Sequence, residues 1–274
     1  MKIKNNLLVV FVLIVASCSD SNKSTNLEVS LHDKPLLEVQ IQPRSLPNPN
    51  KNAYYGDLHV HTENSFDAYT FGTISTPADA YKYAQGYPIQ HPSGYLIQLS
   101  KPLDFYAVTD HGIFMGLMKE AADTTSKFSQ YEFTKPLHNL NKSASTGFFS
   151  LIKRQGLFRP FGEEVRAGLE DGSIDLSLIL EVGRTVWQKT IKAADDAYVP
   201  GTFTTFAAYE YTPSLDLYNN YLHRNVIFKD TKNLPAQLFT RNNSQDPEDL
   251  WDWMNQLRSN GIESLAIPHN TNIS

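Results

Sequence analysis

The stretch Tyr54-Tyr55-Gly56-Asp57-Leu58-His59-Val60-His61-Thr62 decides the fold. Tyr54 to Val60 is short, apolar and aromatic, which predicts a strand running into a site loop. It carries two histidines two positions apart. On extended backbone that spacing turns both imidazoles to one side, where they can share a metal ion. Moving outward, Thr76-Pro77 predicts the start of a helix that runs to about Gln85 and is closed by Gly86. Leu103 to Val108 is a nearly unbroken apolar run, the pattern of a strand buried on both faces in a parallel sheet, and Thr109-Asp110-His111-Gly112 interrupts it.

Phe203 to Tyr211 and Asn225 to Lys229 are two more β-rich runs. Asp246 predicts a helix N-cap, with Pro247 at the first position, Arg258 in the last turn and Gly261 beyond. Leu250, Met254 and Leu257 give that helix its core face. A last strand is predicted over Ser264 to Ile267, ending in Pro268-His269-Asn270. Strand, polar residues, helix, repeated, predicts an α/β, TIM-like barrel with its chemistry at the C-terminal ends of the strands. Residues 113–200 break the pattern with mostly helical periodicity and are expected to form an insertion that caps the strand ends.

The N-terminus has the layout of a secretory leader over residues 1–17: Lys2 and Lys4, an apolar run from Leu7 to Val15, then small residues. Val15-Ala16-Ser17-Cys18 resembles a bacterial lipobox, and Cys18 is the one cysteine of the chain. The expectation is a lipoprotein, lipidated on Cys18 and held at the bacterial cell envelope. Residues 18–52, rich in Ser, Asn and Pro, read as a tether with one short strand at Leu37 to Ile41, and the folded domain is expected over 53–274. Hydrophobic residues make up 41% and charged residues 19%, a globular composition. With 24 Lys plus Arg against 29 Asp plus Glu, the net charge of -5 argues against a dedicated nucleic-acid binder.

Of 8 histidines, His59, His61, His111, His223 and His269 fall at the ends of predicted strands. His32 lies in the tether, and His91 and His138 lie in polar loops. Glu210 sits inside an apolar strand, so its carboxylate needs a metal or an internal ion pair, for which Arg224 is the candidate. Taken singly, His223 and His269 also read as hydrogen-bonded residues at a core edge, and Asp110 as a turn cap. Taken together, imidazoles and carboxylates without a thiolate suit Zn, Mn or Fe.

In order along the chain, YGDLHVHT, TDHG, Glu210 and PHN resemble the successive motifs of the PHP (polymerase and histidinol phosphatase) superfamily. The longer phrases YYGDLHVHTENSFDAYTFG, FYAVTDHG, FAAYEYTP and IPHNTN resemble a branch of large secreted bacterial PHP-like proteins that contain a domain of unknown function. The resemblance covers Tyr54 to Ser274. It implies a distorted (β/α)7 barrel and a site of two or three divalent ions that hydrolyses phosphoesters. His59 and His61 would sit on the first ion, Glu210 between first and second, His223 and His269 on the second, and His111 on the third. Asp67 stands where the family commonly has a histidine on that third ion. Asp57 and Asp110 would orient the imidazoles, with an Asp or His at the rim, Asp110 among them, donating a proton to the leaving group. Arg224 is the candidate for a phosphate contact.

The family's closing Asp-x-His motif does not follow His269, so the expectation is a barrel incomplete at its C-terminus, the N-terminal part of a longer protein. Two other classes stay open. An amidohydrolase-type enzyme also places HxH on a barrel strand but usually adds a bridging lysine, and no lysine falls at a predicted strand end beside a His motif. A non-catalytic surface lipoprotein would keep the site as a binding or structural core.

Overall fold

Three apolar runs become the parallel half of a five-stranded sheet. A computed structural model of the protein describes residues 48, 51–142, 148–213 and 223–269. The leader expected over 1–17, Cys18, the strand expected at 37–41 and Asn270 lie outside the described residues. The sheet order is β1 (Gly56–Asp57), β4 (Phe105–Val108), β5 (Thr204–Tyr211), β6 (Arg224–Phe228) and β7 (Ser264–Pro268). Together they form a curled half-barrel in a mixed α/β fold. A separate hairpin pairs β2 (Ile89–Gln90) with β3 (Leu96–Ile97).

The parallel pairing read from the sequence holds only for β1, β4 and β5. The strand β6 runs antiparallel to both β5 and β7. This reversal matters for the site. His223 precedes β6, and because β6 is inverted its start lies at the same edge as the ends of β5 and β7. The strand expected over Tyr54 to Val60 also shortens to two residues. Asp57 Oδ1 accepts from the His59 N–H at 3.0 Å, a local bond that competes with the ladder. The chain then rejoins β4 irregularly, the Thr109 N–H donating to the Val60 carbonyl at 2.7 Å. Gly56 faces Phe105 across the β1–β4 pair, and a Cβ there would overlap the Phe105 carbonyl oxygen and ring.

Helices cover the outer face. The helix α2 (Pro77–Ala84) starts with a capping box between Thr76 and Asp79, and α6 (Pro247–Ser259) is capped by Asp246. Ala80, Tyr81 and Ala84 of α2 pack with Tyr106, Val108 and Ala194. Leu250 and Met254 of α6 pack with Tyr209, Tyr211, Phe228 and Trp187. Trp187 and Ala194 belong to α5 (Leu176–Ala197). Thus α5, inside the segment expected to cap the strand ends, instead lies on the sheet as the crossover that two parallel strands, β4 and β5, require. The rest of that segment has its own core. Phe66 and Tyr69 of α1 (Phe66–Thr70) join Leu117 and Met118 of α3 (Leu117–Ala122) and Phe161 and Val165 of α4 (Phe148–Asp171), with two 3-10 turns over 128–130 and 132–137 between them. The concave face holds a smaller apolar group, Ala107, Ala208 and Ile227 with Leu58 and Phe206. Among the described residues no helix is long and apolar enough to cross a membrane.

Candidate metal centre

The period of a strand sets the site. Along β5, Ala207, Tyr209 and Tyr211 face the helices, while Ala208 and Glu210 face the concave side. Both tyrosines are fully buried, and their hydroxyls donate to the carbonyls of Phe239 and Ser244. Glu210 is 1% exposed at the strand's end. One strand over, the Glu210 N–H donates to the Asp110 carbonyl and the Gly112 N–H to the Glu210 carbonyl, which carries the β4–β5 pairing past Val108 and sets His111 beside Glu210. On the other side Glu210 pairs with Asn225 of β6, and His223 precedes Asn225 by two residues, hence on the same face. The His269 N–H donates to the His223 carbonyl at 3.2 Å and brings its own ring alongside.

Five imidazoles converge on this carboxylate. Glu210 Oε2 lies 3.2 Å from His59 Nε2 and 3.1 Å from His61 Nε2. Glu210 Oε1 lies 2.5 Å from His223 Nδ1, 3.2 Å from His269 Nε2 and 3.4 Å from His111 Nδ1. Yet neither oxygen receives a hydrogen bond of acceptable geometry. Burial works against ionisation of Glu210, but His223, His269, His59 and His61 outweigh it and hold the group far below the usual carboxylate range. The His59 and His61 Nε2 atoms are 3.1 Å apart. The donor atoms form two groups that share Glu210: His59, Glu210 and His269, and His61, His111 and Glu210. A buried carboxylate without aligned donors, ringed by imidazole nitrogens, fits divalent cations.

Asp67 adjoins this cluster from α1. Its Oδ2 lies 3.4 Å from His111 Nε2 and its Oδ1 4.0 Å from His61 Nδ1. Burial raises the Asp67 pKa, but His111 and His61 outweigh it and hold the carboxylate well below its ordinary range. For His61, burial opposes the cation, while Glu210, Asp67 and Asp110 outweigh it and raise the pKa. His59, 43% exposed, and Asp67, 35% exposed, are the members of the cluster that open most to solvent.

The structure therefore brings His59, His61, Asp67, His111, Glu210, His223 and His269 together. It does not bring Arg224. In the β5–β6 register Arg224 pairs with Tyr211, so it points to the helical side, where its guanidinium carbon lies 5.8 Å from the Trp251 ring centre. Neither a phosphate contact nor an ion pair with Glu210 is open to it. Asp110 is also not at a rim. It is fully buried and accepts from the Thr62 N–H at 2.5 Å and the Thr62 hydroxyl at 2.6 Å. Burial pushes its pKa up to about 6, against the pull of those two Thr62 bonds. Its place is to anchor the turn after His61 rather than to reach a leaving group.

Three supporting residues escaped the sequence reading. Ser65 Oγ lies 2.8 Å from His61 Nδ1 and donates to Asp67 Oδ1 at 2.6 Å. Thr212 Oγ1 lies 2.6 Å from His111 Nδ1. Asn225 donates through Nδ2 to the Leu58 carbonyl at 2.8 Å and ties β6 to the HxH loop. The period of two pointed to Thr212, two beyond Glu210, and to Asn225, two beyond His223.

A family model described as "Protein of unknown function (DUF3604)" matches residues 48–274, so the chain belongs to that family. No curated protein and no solved structure was found to match it.

Proposed function

We propose that this member of the DUF3604 family is a divalent-metal-dependent hydrolase of phosphoesters, carried at the bacterial cell envelope as a lipoprotein anchored through Cys18. The observation that supports the hydrolytic centre is Glu210: a carboxylate 1% exposed, with neither oxygen hydrogen-bonded, among five imidazoles. The residues of the first group, His59, Glu210 and His269, would hold one ion, and His61, His111 and Glu210 a second. Asp67, against His111 and His61, stands where a third would be shared. Such ions supply Lewis acidity toward a phosphoryl oxygen and a water that ionises near neutral pH.

The chain's own residues orient this centre. Ser65 fixes the ring of His61, Thr212 fixes that of His111, and Asp110 holds the HxH turn through Thr62. The substrate enters from the side of His59 and Asp67, where the cluster meets solvent. Asp67, held ionised by its imidazoles, is placed to offer a carboxylate ligand at that solvent edge. The phosphoester class rests on the ordered resemblance to PHP motifs. The amidohydrolase-type alternative usually carries a bridging lysine, whereas the ion-pair partners of Glu210 among the described residues are all histidines.

The test is phosphate release from aryl phosphomonoesters and diesters by chelator-stripped protein resupplied with Zn, Mn or Fe. Activity that returns with metal and vanishes in the His59→Ala/His61→Ala double variant supports the proposal; undiminished turnover in that variant refutes it. For the anchor, Cys18→Ala should move the protein from the membrane to the soluble fraction, and a Cys18→Ala protein that stays on the membrane removes that part of the reading.

A further inference from the structure

A cleft of about 370 Å3 lies between the loop that follows α1 and the β2–β3 hairpin. Phe71, Ile74 and Ile97 form its apolar side, and Ser75, Gln90 and His91 its polar side. Its lining contains no Lys, Arg, Asp or Glu, so it suits an uncharged group. Phe71 is 47% exposed and leaves ring surface open for a flat partner. His91 accepts at Nδ1 from the Ser93 N–H at 3.1 Å, which leaves Nε2 as the ring's donor. Stacking on Tyr95, 4.3 Å between centres and 14° from parallel, fixes that ring.

Both walls of the cleft are bonded through the backbone to the segment that carries His61 and Asp67. The Phe71 N–H donates to the Asp67 carbonyl at 2.9 Å. Residues four apart in a helical turn share a face at roughly 6 Å, so the cleft begins one turn from the carboxylate that meets His111. On the opposite wall the Glu63 N–H donates to the Ser75 carbonyl at 2.9 Å, two residues beyond His61.

We propose that this cleft is the leaving-group subsite of the centre and takes the uncharged ring of an aryl ester against Phe71. The assignment of what is bonded to the ring rests on the hydrolase reading; binding of the ring itself does not. Titration of 4-fluorophenol into the metal-free full chain, followed by fluorine NMR, tests the cleft alone. Binding should weaken about tenfold in Phe71→Ala and persist in Phe71→Tyr, both at an exposed position outside the core. No binding to wild type, or equal binding to Phe71→Ala, overturns the proposal. With metal supplied, phenylphosphonate should bind wild type about tenfold more tightly than methylphosphonate, and Phe71→Ala should erase the preference. Equal affinity of the two phosphonates overturns the leaving-group assignment. Binding of neither phosphonate overturns it together with the hydrolase reading, whereas the 4-fluorophenol titration fails or succeeds independently of both.

Discussion

Replacing Glu210 by Gln keeps the shape of the side chain and removes the charge that both ligand groups share. Outer-shell partners of a metal site are commonly worth 10–100-fold in affinity, so loss of a shared ligand is set at about 100-fold per ion. Take a metal concentration about 100 times the wild-type Kd. Two ions then stabilise the fold by about 2.7 kcal/mol each, roughly 5.4 kcal/mol together. In Glu210→Gln the same concentration only equals Kd, and each site contributes about 0.4 kcal/mol. At about 2–4 °C per kcal/mol for a domain of this size, metal should raise Tm by about 11–22 °C in wild type and by only about 2–3 °C in the variant. Thermal unfolding with and without metal reads this directly. A Glu210→Gln protein that keeps the full metal-induced rise would refute the bridging role.

Four other outcomes follow from the geometry. His59→Ala and His111→Ala touch different groups, so each should cost one bound ion, counted by elemental analysis after dialysis, and leave the other. Imidazoles must be neutral to ligate, so retained metal should fall as pH is lowered, with His61, whose pKa is raised by its carboxylate neighbours, protonating first. Arg224→Met should leave metal affinity within about twofold, because Arg224 lies on the other face of the sheet, while lowering the urea midpoint through its lost contact over Trp251. Gly56→Ala should destabilise by more than about 2 kcal/mol in chemical denaturation, since its Cβ meets backbone that cannot move aside.

Much of the site was legible because its residues obey strand arithmetic. His111 after an apolar run, Glu210 within one and His269 after one all announce side chains delivered at strand ends. The reversal of β6 was not legible, since a strand's direction depends on its partners and not on its own pattern. Arg224 shows the cost. It adjoins His223 in sequence, but a period of two sends neighbours to opposite faces. The role of α5 was hidden for a similar reason: an amphipathic helix fits a cap and a sheet-covering crossover alike, and only the β4–β5 pairing separates them. Asp110 looked like a rim acid from sequence because nothing local records that Thr62, 48 residues away, closes over it.

The most direct test is an anomalous difference map from crystals grown with Zn, recorded at the zinc edge. Two peaks that share Glu210 are expected, one against His59 and His269 and the other against His61 and His111. A map with no peak at Glu210, or with ions only at sites that do not touch it, would contradict a metal centre built on that carboxylate.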